Sequence, residues 1–115
     1  TKVKITADLQ WLNHNALWGN EKTPIAYIMG VMNMILHGIE NPNINKKNTL
    51  TDDIRSFEEK DRYNIIIANP PFGGKEKEAV QSNFPIKSNA TEMLFMQHFM
   101  KKLKTGGRAA IVVPE

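Results

Sequence analysis

The stretch YNIIIANPPFGG, residues 63–74, constrains the fold more than any other part of the sequence. Ile65, Ile66 and Ile67 are consecutive β-branched residues with no polar alternation, the pattern of a strand that helices cover on both faces in a parallel sheet. The run stops at Asn69-Pro70-Pro71-Phe72, an amide, two rigid residues and an aromatic at the point where the strand must surface.

Flanking segments supply what such a sheet needs. Ala16-Leu17-Trp18-Gly19 is a short apolar stretch closing on Asn20 and Glu21. Thr23-Pro24 follows as an N-cap with proline at the first helical position, so a strand hands over to a helix there. From Ile25, apolar residues at Ile28, Met29, Met32, Ile35 and Leu36 form a helical stripe. Val31 and Met34 widen it, which predicts a deeply buried helix closed by His37-Gly38. The turn-rich ENPNINKKN leads to a brief extended piece at Thr49 and Leu50, and TDDIRSFEEKDRYN reads as a solvated connector or a marginal helix. After the tetrapeptide, GGKEKEAVQSNFPIKS has the polarity and length of a mobile loop. Asn89 and Glu92 have capping-box spacing, and Met96, Phe99, Met100 and Leu103 give the next helical stripe. Lys101, Lys102 and Lys104 suit its negative end, Gly106-Gly107 marks its stop, and Ala109 to Val113 is the last strand. Residues 1–15, with scattered Val3, Ile5, Leu9, Trp11 and Leu12, read as the tail of a helix or a connection. The order strand, helix, strand, strand, helix, strand predicts an α/β fold: an open sheet with right-handed crossovers.

At 115 residues the chain holds one domain at most and is short for a complete cofactor-dependent enzyme. It has no cysteine, which excludes disulfides, thiolate catalysis and cysteine metal sites and fits a reducing cytoplasm. No apolar run approaches membrane-spanning length, so no membrane partner is expected. A net charge of +3 is compatible with nucleic acid without identifying a partner.

Ligands of open α/β sheets bind outside the carboxyl ends of the strands, and three such ends are marked: Glu21, Asn48 to Leu50, and Asn69 to Phe72. Each proline fixes its own φ and pushes the preceding residue toward extended geometry, so the Asn69 side-chain oxygen and the Pro70 carbonyl become two acceptors held side by side. They suit both hydrogens of a planar amino group, while Phe72 offers a stacking face. Such hydrogen bonds draw the amino nitrogen toward a tetrahedral form whose lone pair can attack an electrophilic methyl group. A rigid turn ending a strand is the plainer alternative. Glu21 stands where an acid accepts hydrogen bonds from a nucleoside ribose, or where a carboxylate faces a helix dipole. Asn48 and Thr49 could reach an adenine amino group, or simply form a turn. His14, His37 and His98 show no metal-ligand spacing; His37 reads as a helix-end residue and His98 as a helix-surface one. The clusters Asp52 with Asp53 and Glu58 with Glu59 read as solvated charge, and the methionines as core.

Three blocks, ALWGNEKTPIAYIMGVMNMILHGIENPNINKKNTL, YNIIIANPPFGG and EMLFMQHFMKKLKTGGRAAIVVPE, occur in one order. Together they resemble the modification (M) subunit of type I restriction-modification systems, the adenine-specific DNA methyltransferases. The likeness runs from about Ala16 to Glu115. It implies a Rossmann-like sheet with covering helices and S-adenosylmethionine-dependent methylation of the exocyclic amino group of adenine in duplex DNA, the target base being flipped out of the helix. By the same resemblance Asn69, Pro70, Pro71 and Phe72 form the catalytic tetrapeptide, Glu21 binds the ribose, and Asn48, Thr49 and Leu50 make the adenine-side contact. Many relatives carry aspartate where Asn48 stands. The family's glycine-rich cofactor loop and its C-terminal target-contact region have no counterpart here, so residues 1–115 are expected to be a partial catalytic domain, inactive alone. The resemblance implies a specificity subunit and a restriction subunit as partners, and a cytoplasmic location. The tetrapeptide also serves methyltransferases acting on RNA bases or protein glutamine amides, and a non-catalytic scaffold is a further reading.

Overall fold

A computed structural model describes residues 6–113, which fall into two compact units, residues 6–49 and residues 50–113. Val3 and Ile5 of the N-terminal reading lie outside the described residues. The fold is mixed α/β with short parallel strands.

The first unit opens with α1 (Thr6–Trp11), continued by one wider helical turn at Leu12–Ala16, and then forms β1 (Trp18–Glu21). Thr23 is extended, Pro24 takes the first helical position, and α2 runs Pro24–Leu36, as the Thr-Pro pair predicts. At the other end the Gly38 N–H donates to the Ile35 carbonyl and the Ile39 N–H to the Met34 carbonyl, each at 3.0 Å. These paired bonds require a left-handed residue, and Gly38 supplies it at φ +88°. β2 (Asn43–Lys46) pairs parallel with β1, Trp18 opposite Asn43 and Glu21 opposite Lys46.

Two expectations fail in this unit. The strand lies at Asn43–Lys46, inside the segment read as turn, while Thr49–Thr51 is a 3-10 turn. Asn43 and Asn45 disguise the strand: a two-stranded sheet leaves polar residues tolerable, and only Ile44 turns toward Gly19 and Gly30. Helix α2 is also not deeply buried, since none of its residues is buried and Ile25, Met29 and Leu36 are 74%, 65% and 81% exposed. Its apolar stripe is wider than two four-residue strands can cover.

The second unit is built on Leu50, Ile54, Phe84 and Leu94, with Phe57, Val80 and Phe95 packed around them. The charged connector folds into two 3-10 turns, Ile54–Ser56 and Glu59–Asp61. Asp53 caps the first through the Arg55 N–H at 2.9 Å, and the Arg55 guanidinium returns to Asp53 and to the Ser82 carbonyl. That carboxylate consequently titrates below the usual aspartate range, first through the Arg55 side-chain hydrogen bond. Asn83 Nδ2 donates to the carbonyls of Leu50 and Thr51. The segment read as a mobile loop is therefore structured: it forms the short α3 (Glu78–Gln81) and buries Phe84, whose burial outweighs the polar residues around it.

β3 (Tyr63–Ala68) and β4 (Leu103–Ile111) pair in parallel, with α4 (Thr91–Lys102) between them in sequence. β4 starts six residues earlier than expected. Gly106 and Gly107 do not stop the helix; they sit in an irregularity of the β3–β4 register, Gly106 at φ +77°. The buried face of α4 carries Thr91, Leu94, His98 and Phe99, whereas Met96 and Met100 are exposed. His98 is 4% exposed rather than a surface residue, its ring meeting Phe57 and Phe99 edge to face. A stripe drawn through the methionines misplaces the face because it counts His98 as polar.

Candidate functional site

In the first unit, parallel pairing puts the carboxyl ends of β1 and β2 at one edge. Glu21 is the last residue of β1 and stands opposite Lys46, two residues before Asn48. The edge therefore gathers Glu21 and the Asn48–Thr49 turn, with Asn45 Nδ2 lying 3.5 Å from Asn20 Oδ1 beside them. Glu21 is exposed, and Asn48 and Thr49 are half-buried. Leu50 is placed otherwise. Its side chain is fully buried in the core of the second unit, the residue has no exposed surface, and its carbonyl accepts Asn83 Nδ2.

In the second unit the tetrapeptide follows the last residue of β3, Ala68, which pairs with Ile111 of β4 and whose carbonyl accepts the N–H of Val112, the residue just past that strand, at 3.1 Å. Asn69 is exposed, Pro70 is buried, and Phe72 is 47% exposed. All peptide bonds of the described residues are trans. The tetrapeptide thus anchors itself by one proline and presents the amide and the ring outward.

The loop is then tied to the start of α4 by contacts that spacing does not reveal. Gly73 turns left-handed at φ +66° and donates its N–H to Glu92 Oε1 at 2.5 Å. The Gly74 carbonyl accepts the Thr91 N–H at 3.2 Å, Lys75 bridges Ala90, and the Glu76 N–H donates to the Asn89 carbonyl at 3.1 Å. A Cβ on Gly74 would come within 2.7 Å of Thr91 Oγ1, so the two glycines answer different demands, one torsional and one steric. The expected capping box is absent. Ala90 is the N-cap without a side-chain bond, and Glu92 takes the Gly73 N–H instead. That bond, and then the residue's own backbone N–H, hold the Glu92 carboxyl below the usual glutamate range. Sequence reasoning missed Gly73, Gly74, Thr91 and Glu92 as parts of the site. The available signal was a glycine pair directly behind a rigid motif, which asks what approaches so closely.

Among the described residues, no group of three His, Asp or Glu side chains is placed to hold a metal ion, and no helix is long and apolar enough to cross a membrane.

The chain is similar to the type I restriction enzyme EcoEI methylase subunit of Escherichia coli, with 38% identity over 98% of this chain and 23% of that protein. It is 35% identical to the EcoKI methylase subunit of Escherichia coli strain K12, over 89% of this chain and 20% of the relative. The chain thus spans less than a quarter of the length of these curated relatives. Among solved structures, one reported for complex assembly and conformational transition of the type I R-M system superposes with a TM-score of 0.92 at 45% identity, over 99% of this chain and 23% of that one. The family model described as N-6 DNA Methylase matches residues 2–115. With an Asn-Pro-Pro-Phe tetrapeptide at the carboxyl end of a parallel strand and a family match over nearly its whole length, the chain belongs to the N-6 DNA methylase family.

Proposed function

We propose that residues 1–115 form part of the catalytic domain of a type I restriction-modification methylase subunit that methylates adenine N6 in duplex DNA from S-adenosylmethionine. The observation that carries this reading is the tetrapeptide: it stands at the carboxyl end of β3 with Asn69 and Phe72 open to solvent and its following turn tied to α4. Asn69 Oδ1 and the Pro70 carbonyl accept the two hydrogens of the adenine amino group, which localises the nitrogen lone pair. Phe72 stacks on the extruded base, whose unpaired edge needs such contacts. No histidine base is needed for these roles.

The edge of the first unit fits the cofactor. The exposed Glu21 carboxylate, with no hydrogen bond or ion pair among the described residues, suits two vicinal ribose hydroxyls, and Asn48 and Thr49 suit the adenine side. When bound, S-adenosylmethionine supplies an electrophilic methyl group. The β1–β2 and β3–β4 pairs each belong, in this reading, to an open, mostly parallel Rossmann-like sheet. Target choice falls to a specificity subunit, a restriction subunit completes the system, and the location is cytoplasmic.

Incubating the full-length protein and its specificity subunit with labelled cofactor and duplex DNA tests the assignment. N6-methyladenine is the expected labelled product after digestion. Label recovered in RNA or in protein glutamine, and not in DNA, would overturn it.

A further inference from the structure

Between its two anchors the catalytic loop has little freedom, and what remains is concentrated in one place. Ala68 is fixed by β4, Pro70 and Pro71 have fixed φ, and Asn69 and Pro70 each precede a proline, so Asn69 and Pro70 are closely restricted once β3 is set. Phe72 and Gly73 are not. Gly73 is the most permissive residue type in a conformation other residues rarely adopt, and it joins Phe72 to the turn that α4 holds.

The Glu92 carboxylate closes that freedom. Glu92 is the second residue of α4, where the positive end of the helix dipole favours a negative charge. Helix α4 is itself held by Leu94, two residues on and fully buried in the core with Leu50, Ile54 and Phe84. A chain of contacts thus runs from the core through Leu94 and Glu92 to Gly73, beside the aromatic face. We propose that Glu92 is a positioning residue for methyl transfer: by accepting the Gly73 N–H it fixes the turn behind Phe72 and so sets where the flipped adenine stacks against the Asn69 and Pro70 acceptors. The proposal rests on reading Asn69 to Phe72 as catalytic.

The test compares Glu92→Met and Glu92→Gln in the full-length protein. Both replacements keep side-chain length and helix propensity, but only glutamine keeps an oxygen that can accept the Gly73 N–H. Glu92→Met is expected to lower kcat roughly ten- to a hundredfold, the effect of misplacing a reacting group by a fraction of an ångström to one ångström. Cofactor Kd should stay at the wild-type value, Tm should fall by no more than about a degree or two with the loss of one helix-end charge, and Glu92→Gln should recover much of kcat. A 2-aminopurine at the target position, quenched by stacking on Phe72, should brighten in Glu92→Met. Wild-type kcat and emission in Glu92→Met would overturn the proposal. So would a drop in Tm that accounts for the lost activity, because Glu92 would then support the fold and not the loop. Asn69→Ala, assayed alongside, separates the two ideas. If it is inactive while Glu92→Met is fully active, only the positioning role fails; if Asn69→Ala is itself fully active, the catalytic reading fails.

Discussion

The Glu92 carboxylate, at the start of α4, accepts the backbone N–H of Gly73, 19 residues earlier, and thereby ties the turn behind Asn69-Pro70-Pro71-Phe72 to the helix that follows. A long sequence separation makes this bond a property of the fold, because no local segment contains both partners. The same turn is seated a second time by Thr91, whose N–H reaches the Gly74 carbonyl.

Asn69→Ala removes one of the two acceptors at the end of β3. Turnover of the full-length protein should fall by the equivalent of about 2 to 4 kcal/mol in the barrier, as for loss of other preorganised polar groups. Cofactor affinity, measured by calorimetry, should stay near wild type. Near-normal turnover would contradict the role of the amide.

Phe72→Ala should weaken productive binding of the extruded adenine by roughly 1 to 3 kcal/mol, the range for stacking of a base on an aromatic ring. Phe72→Trp should retain activity, since the wider ring still offers a face. Fluorescence of a base analogue at the target site measures this, and an unchanged signal in the alanine variant would refute stacking.

Gly74→Ala places a Cβ 2.7 Å from Thr91 Oγ1, and Thr91 is 2% exposed and cannot swing away freely. The substitution should destabilise the protein by about 1 to 3 kcal/mol, the usual cost of overpacking. Adding Thr91→Ala should return part of that loss, because the obstructing oxygen is gone. Denaturation midpoints of the two single variants and the double variant decide it; strictly additive losses would show that the contact is not the cause.

Glu92 gives a pH dependence of defined sign. Its folded value is depressed by the Gly73 N–H and then by its own backbone N–H, while partial burial works the other way. Its stabilising contribution is therefore fully present above the unfolded glutamate value of about 4.3 and is lost as pH falls through the lower folded value. The stability difference between wild type and Glu92→Gln should be constant near neutrality and shrink only on strong acidification. A difference that grew with acid would reverse the assignment.

Leu50→Ala should cost about 2 to 5 kcal/mol, the range for truncating a buried leucine. Leu50 has no exposed surface and packs with Ile54, Phe84 and Leu94. Urea denaturation would register the loss. A smaller effect on stability accompanied by weaker cofactor binding would move Leu50 from the core to the ligand site.

The sequence by itself determined the features whose causes are local. Thr23-Pro24 starts α2 because proline is preorganised there, Gly38 ends it because the closing hydrogen bonds need a left-handed residue, and Ile65 to Ile67 form β3 because branched side chains favour extended backbone. The tetrapeptide follows at the end of β3 for the same local reason, and its prolines restrict their own geometry. Tertiary structure alone decided the rest. Asn43–Lys46 becomes a strand only because β1 pairs with it, Gly106 and Gly107 lie within a strand only because β3 does, and His98 is buried only because Phe57 and Phe99 surround it. Glu92 has the spacing of a capping residue yet binds Gly73, since a carboxylate at a helix N-terminus takes whichever backbone N–H the fold delivers to it, and no local pattern records that choice.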